Sequence, residues 1–456
     1  MMRDEYDFSN AKKSPYAKRQ ETSPAHGADS SGCDTPTNHA ASAAFAQQAV
    51  GGLTMELKEA ISRYAETLDS FYLYDERRIR ESIGHLKQSF PQIEFLYSIK
   101  CNSNANVLNC VFSQGFGADA ASAGEVNLAV QAGLKADQIY YSAPGKSVSE
   151  IERTLGRAVL IADSLGEIKR IQAVCERTGT CARIGMRINP DFTFSADHGT
   201  ASKFGIDEEQ ALAFLRGNSC KNMKVTGIHV HVKSQELNAD TLAAYYETML
   251  RLAEKAAALC GPLEYVNMGS GMGIPYAAAD AALDLTRLAD RVRGSLDRFR
   301  EQNPGTKLII EVGRYVVGKS GCYVTKVMDR KVSHGKTYLI LKNTLNGFLR
   351  PSLAKLVAHY SREAAPAGTE PLFTAVDAFE FRTLKDEPAT EVVTLAGNLC
   401  TAADVMAEDV LMPHLECGDV VIVTNAGSYA AVLSPMQFSS QEPPAELFLT
   451  ADGKVL

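Results

Sequence analysis

The chain has 456 residues, 45% of them hydrophobic and 22% charged, the balance of a globular protein large enough for two domains. Its formal net charge of −7, with no basic stripe carrying interleaved aromatics, excludes a nucleic-acid footprint and leaves small molecules and other subunits as the expected partners. The ten cysteines (33, 101, 110, 175, 181, 220, 260, 322, 400 and 417) form no C-x-x-C pair and no His/Cys cluster at metal-ligand spacing, no apolar run approaches the roughly 18 residues of a membrane helix, and the first residues lack a signal-peptide apolar core, so a cytoplasmic protein with reduced thiols, no metal and no membrane contact is expected.

Residues 1 to 50 are rich in Ser, Ala, Asn, Lys and Asp, a composition that cannot bury enough surface to offset its ordering entropy. A disordered tail is expected there, with Ala41 to Val50 able to become helical against a partner. From about 70 to 315, eight short apolar runs read as strands: Phe95 to Ile99, Ala118 to Ala121, Ile139 to Ser142, Val159 to Ala162, Arg183 to Ile188, Val225 to Val232, Tyr265 to Met268 and Leu308 to Glu311. Between them lie stretches with helical spacing, such as Ala123 to Gln131 and Ala239 to Ala258. Eight βα repeats over about 250 residues is the size of a (β/α)8 TIM barrel. A doubly wound sheet would more often show a Gly-rich turn after its first strand, and none follows Lys100. Beyond Gly313 the text turns strand-rich, at Gly321 to Val327, Thr337 to Leu341, Glu391 to Leu395 and Asp419 to Val423. A C-terminal all-β domain over 316–456, joined by about 51–69, is therefore expected.

In such a barrel the active site forms at the C-terminal ends of the strands. Those ends are polar here: Lys100, Asp119 with Ser122 and Glu125, Ser142, Asp163, Arg187, His231 with Ser234, Gly269-Ser270-Gly271, and Glu311 with Arg314. Lys100 ends an apolar run with no evident partner for its charge. In a desolvated pocket its pKa would fall and a neutral amine able to form a Schiff base would be available, whereas a solvated strand-end lysine would do nothing. The glycines at 269, 271 and 273 let backbone N–H groups approach an anion after the seventh strand, where such barrels bind phosphate, and Arg314 would add charge-assisted bonds.

Taken in order, Tyr97-Ser98-Ile99-Lys100-Cys101-Asn102, Gly117-Ala118-Asp119 through Glu125, Ser202-Lys203-Phe204-Gly205-Ile206, His229-Val230-His231-Val232-Lys233-Ser234-Gln235, Gly269-Ser270-Gly271, Glu311-Val312-Gly313-Arg314, Arg350-Pro351, Gly397-Asn398-Leu399-Cys400-Thr401-Ala402-Ala403-Asp404 and Gly427-Ser428-Tyr429 to Phe438 resemble the fold-type III pyridoxal-phosphate decarboxylases, which include the ornithine, arginine and diaminopimelate enzymes. The resemblance spans about residues 70 to 445. It implies an alanine racemase-like barrel with a C-terminal β domain, and pyridoxal 5′-phosphate bound to Lys100 as a Schiff base. It further implies that His231 lies against the cofactor ring, that Ser234, Gly269 to Gly271, Arg314 and Tyr429 hold the phosphate, and that Glu311 faces the pyridine nitrogen and keeps it protonated. Asp119, Glu125 and Arg187 match positions that orient the lysine and cofactor, although structural ion pairs would explain them equally well. Cys400 would reach the neighbouring subunit's site and protonate Cα after CO2 leaves, and Phe438 matches the same shared boundary, so a homodimer is expected.

Departures from the pattern bear on substrate. The basic amino-acid decarboxylases place an acid after the catalytic cysteine to receive a distal ammonium, and here Thr401 stands there. Ala354 stands where the diaminopimelate enzymes carry a tyrosine for the distal carboxylate, while Arg350 keeps a cation for a distant anion. Lys233 replaces a usual glycine, and Val312 a usual proline to which no function attaches. These changes point to a substrate with a masked amine and carboxylates, as in a citryl-diaminopropionate siderophore precursor. The alternatives are a diaminopimelate or other basic amino-acid decarboxylase, an amino-acid racemase, which would carry arginine in place of Glu311, and a non-catalytic homologue that binds the cofactor.

Overall fold

The computed structural model describes residues 53–194, 196, 198–217, 222–277, 279–360 and 376–456. The tail expected over 1–50, with its helical segment, lies outside the described residues. The described strands, in chain order, are β1 (Ser70–Asp75), β2 (Glu94–Ser98), β3 (Gly117–Ala120), β4 (Ile139–Ser142), β5 (Val159–Ala162), β6 (Ala182–Asn189), β7 (Ile206–Asp207), β8 (Met223–His229), β9 (Tyr265–Asn267), β10 (Lys307–Val312), β11 (Gly321–Ser333), β12 (Lys336–Leu341), β13 (Phe381–Arg382), β14 (Glu391–Gly397), β15 (Val405–Met412), β16 (Val420–Val423) and β17 (Ala445–Leu449).

All eight strands expected for the barrel are present, and they pair in parallel in the order β2, β3, β4, β5, β6, β8, β9, β10, with β10 returning to β2 to close the ring. The expected helices form at Ala123–Gln131 and Ala239–Cys260. Their starts are locally encoded, because Ser122 and Asn238 accept hydrogen bonds from first-turn N–H groups, as do Asn104, Ser147, Ser164 and Asp284 at other barrel helices.

The barrel interior is plugged. Leu96, Tyr140, Ile161, Tyr265 and Ile309 form one buried cluster, with the Tyr140 and Tyr265 rings edge to face at 5.0 Å. Gly185 on β6 and Gly227 on β8 leave the space that the Tyr265 ring fills. Side chains on a strand alternate between faces, so the residue two positions beyond each interior position again faces inward. Those residues are Ser98, Asp119, Ser142, Asp163, Arg187, His229, Asn267 and Glu311, every one of them buried. A polar layer thus sits on an apolar floor.

The second sheet has eight strands, with β13, β16, β11, β12, β14 and β15 in order and β1 and β17 paired beside β11. Most pairings are antiparallel, while β12–β14 and β1–β17 are parallel. Two corrections follow. The segment Ser70–Asp75, read as the head of the barrel range, is antiparallel to β11 and parallel to β17 in this sheet. Its six residues are all buried, a pattern that reports burial on both faces without naming the partners. The C-terminal region also carries a helix, Leu349–Tyr360.

Asn102 Nδ2 donates to the Gly427 carbonyl at 2.9 Å, and the Tyr429 N–H donates to the Cys101 carbonyl at 2.8 Å. These bonds stitch the turn that carries Tyr429 to the turn that carries Lys100.

Candidate active site

Lys100 lies in a single 3-10 turn, Ile99–Cys101, directly after β2. Its Nζ donates to Asp119 Oδ2 at 2.7 Å, and the same carboxylate accepts from Ser98 Oγ at 2.8 Å and Ser142 Oγ at 2.7 Å. This corrects the expectation of an unpartnered amine with a lowered pKa. Desolvation at the barrel mouth does disfavour the ammonium, but the carboxylates around it, Asp119 foremost and then Glu311, outweigh that penalty and raise its pKa. Without cofactor, Lys100 is held charged.

Glu311, on β10, is 2% exposed. Burial alone would push its carboxyl up, yet His229 Nε2 at 3.2 Å, with Lys100 and His231 nearby, holds it well below the usual carboxylate range. Asn267 Nδ2 donates to Glu311 Oε1 at 2.9 Å, and Asn267 Oδ1 accepts the Gly269 N–H at 2.9 Å. His231 Nδ1 accepts the Ser270 N–H at 3.1 Å, which puts the imidazole proton on Nε2, 3.3 Å from Ser234 Oγ. Desolvation, aided by the Arg187 and Lys100 charges, pushes His231 down to about 3, so its ring is neutral near pH 7. Gly269 has φ of +65°, and an added Cβ would press on the Val230 carbonyl oxygen, so this turn requires glycine.

Arg187 packs its guanidinium 4.4 Å from the Phe204 ring centre and lies 3.7 Å from Asp163. Arg314 and Arg350, both buried, donate to the Tyr276 hydroxyl at 2.8 and 3.4 Å, and Arg314 also lies over the Tyr429 ring at 4.8 Å. Lys100, Asp119, His231, Ser234, Ser270, Glu311, Arg187, Arg314, Arg350 and Tyr429 therefore converge on one end of the barrel. Cys400, Thr401 and Phe438 do not. Cys400 is exposed, Phe438 is 46% exposed, and no hydrogen bond or ion pair among the described residues joins these three to the cluster. Lys233, half-buried, pairs with Glu236 at 3.4 Å.

The family model for the pyridoxal-dependent decarboxylases, pyridoxal binding domain, matches residues 76–318. The chain belongs to the fold-type III pyridoxal-phosphate decarboxylases. The L-glutamyl-BtrI acyl-carrier protein decarboxylase of Niallia circulans is 32% identical to it over 403 residues, 85% of this chain and 90% of that one. Diaminopimelate decarboxylase of Helicobacter pylori strain J99 is 30% identical over 389 residues, 83% of this chain and 90% of that one. The crystal structure of the Helicobacter pylori enzyme complexed with L-lysine superposes with a TM-score of 0.72 at 26% identity, over 87% of this chain and 95% of that one. This chain is accordingly a carboxy-lyase, and its cofactor is pyridoxal 5′-phosphate.

The residues of the decarboxylase fit that cofactor. At one side of the mouth is a glycine turn whose Cβ positions are closed by neighbouring atoms, with the Arg314 cation at the same end of the barrel, and beside the turn is a buried carboxylate kept ionised. Sequence reasoning missed Asn267, His229 and Tyr276. The signal for the first two was period-two alternation from Tyr265 and Gly227, which puts both in the inward layer. It also missed Lys146, which is fully buried and spends its donors on Glu167, Ala143 O and Ile161 O, each at 2.7 Å. A lysine so saturated is a structural tie, not a nucleophile.

Proposed function

We propose that this decarboxylase removes the α-carboxylate of an amino acid whose far end carries no free ammonium, an acylated or conjugated substrate presenting neutral or anionic groups there. The observation that carries this reading is Thr401, a neutral residue immediately after Cys400, whose hydroxyl accepts the Ala403 N–H at 3.3 Å. A distal ammonium would find no carboxylate at that position, and burying it unpaired would cost several kcal/mol, on the order of 3–5. Arg350, which lies with the converging cluster through Tyr276, supplies a cation that suits a distal carboxylate. A citryl-diaminopropionate siderophore precursor meets this description, and so does a glutamyl group on an acyl-carrier protein, the substrate named for the 32%-identical relative. The diaminopimelate enzymes among the relatives favour a second reading, free meso-diaminopimelate, for which Arg350 would hold the distal carboxylate.

Bound pyridoxal phosphate supplies an electron sink for the pair released as CO2 departs. In this scheme Lys100 tethers the cofactor, with Asp119 and Arg187 orienting the lysine and its surroundings. His231 would bring its neutral ring against the cofactor. Ser234, the Gly269, Ser270 and Gly271 turn, Arg314 and Tyr429 would hold its phosphate. Glu311 would keep its ring nitrogen protonated, which an ionised carboxylate with a depressed pKa can do. Cys400, exposed in this chain, would reach a partner's site in a homodimer and give its Sγ proton to the substrate Cα, with Phe438 at the shared boundary.

CO2 release from citryl-diaminopropionate and from a carrier-bound glutamyl group, against free meso-diaminopimelate, lysine and ornithine, tests the substrate. A kcat/KM at least about tenfold higher for a conjugate is expected. Equal or higher values for a free diamino acid would sink the reading.

A further inference from the structure

Asn267 ends β9, is 0% exposed, and touches both halves of the site with one planar group. Its Nδ2 donates to Glu311 Oε1 at 2.9 Å and its Oδ1 accepts the Gly269 N–H at 2.9 Å. The backbone runs alongside, since the Glu311 N–H donates to the Gly269 carbonyl at 2.8 Å and the Met268 N–H to the Ile309 carbonyl at 2.9 Å. His229 approaches the same Glu311 Oε1 at 3.2 Å from the neighbouring strand β8, directly opposite Asn267 in register. Both contacts fall on Oε1, and Oε2 has no hydrogen-bond partner among the described residues.

We propose that Asn267 is a positioning residue that locks the Glu311 carboxylate and the Gly269–Gly271 turn into one unit, so that the ring-nitrogen end and the phosphate end of the cofactor are held at a set separation. A carboxamide suits this task because it donates at one end and accepts at the other in a rigid plane. With Oε1 hydrogen-bonded from β9 and faced by His229 from β8, Glu311 offers Oε2 in one orientation. The inference rests on the proposal above that Glu311 serves the ring nitrogen.

The test is titration of pyridoxal phosphate into cofactor-free Asn267→Ala, Asn267→Asp and Glu311→Gln proteins, read by the absorbance of the bound cofactor, together with steady-state decarboxylation. Asn267→Ala is expected to weaken cofactor binding about tenfold or more, the scale of losing a charge-assisted hydrogen bond, and to displace the absorbance maximum. Its kcat should fall while the substrate KM stays near the wild-type value. Asn267→Asp keeps an acceptor for the Gly269 N–H but sets a second buried carboxyl against Glu311, so the two repel at about pH 8 and share one proton at about pH 5. Its cofactor affinity should therefore lie within about threefold of wild type at about pH 5 and fall towards that of Asn267→Ala at about pH 8. Wild-type affinity and absorbance in Asn267→Ala, with a displaced maximum in Glu311→Gln, would overturn the role of Asn267 alone. An affinity for Asn267→Asp at about pH 5 as poor as that of Asn267→Ala at the same pH would overturn the phosphate end. Unchanged absorbance in Glu311→Gln would overturn the placement of Glu311, and the ring end of this inference with it.

Discussion

Lys100 shows how one contact reverses a local expectation. A strand-end lysine in a desolvated mouth should lose its proton, yet Asp119, 19 positions further along the sequence, keeps it charged. Asp119→Asn removes the foremost charge that raises the lysine, so its pKa falls. The pH of half-maximal cofactor attachment should drop by about one unit or more, as followed by absorbance; an unchanged midpoint would show that Asp119 does not set the amine's charge. Glu125 titrates in the opposite sense. Desolvation, with Asp119 beside it, pushes its carboxyl up to about 7 against the Ala121 N–H bond and the Lys100 charge, which pull it down. The stability due to neutral Glu125 is therefore complete below about pH 4.5 and is lost as pH rises through about 7. Glu125→Gln should stabilise the cofactor-free protein by roughly 1–3 kcal/mol at about pH 8 and by little at about pH 5, as read from melting temperatures. At this scale the residue types of the site were legible, because lysine, carboxylates and histidine at strand ends are costly to keep without use. Their partners were not, since Asp119, Ser98 and Ser142 meet only after three strands align.

Elements were the most legible level. Each barrel strand carries its own apolar run, and helix starts such as those after Asp75, Asn104, Ser122, Ser164, Asn238 and Asp284 have a side-chain cap within reach of their own first turn, so the information is local. The Gly269 turn is local too. Gly269→Ala forces a residue with Cβ to φ +65° against the Val230 carbonyl and Cα of His231, and should cost about 1–3 kcal/mol of stability and weaken pyridoxal phosphate binding in titration. A variant that binds and melts as wild type would show that the turn yields easily. Strand β1 illustrates the limit. Its six buried residues announce a strand, but the choice between the barrel and the second sheet lies in β11 and β17, some 250 and 370 residues away in sequence.

For the whole molecule, the exposure of Cys400 and Phe438 fits the proposed homodimer, in which a second copy completes the cluster at the barrel mouth. Mixing Lys100→Ala with Cys400→Ala subunits tests this. Each parent dimer should be inactive, and random reassortment should restore about a quarter of wild-type activity, because half the dimers are mixed and each of those has one intact site. No recovery after verified subunit exchange would place Cys400 in its own protomer's site, and an active Cys400→Ala parent would place it outside catalysis. The sequence by itself determined the βα rhythm, the polar strand ends, the motifs of the pyridoxal-phosphate decarboxylases and the neutral residue after Cys400, because all of these are written in short contiguous stretches. Only the tertiary structure decided that Lys100 is charged, that Asn267 and His229 stand behind Glu311, and that β1 leaves the barrel, because charge, burial and strand partnership depend on groups that the chain brings together from far apart.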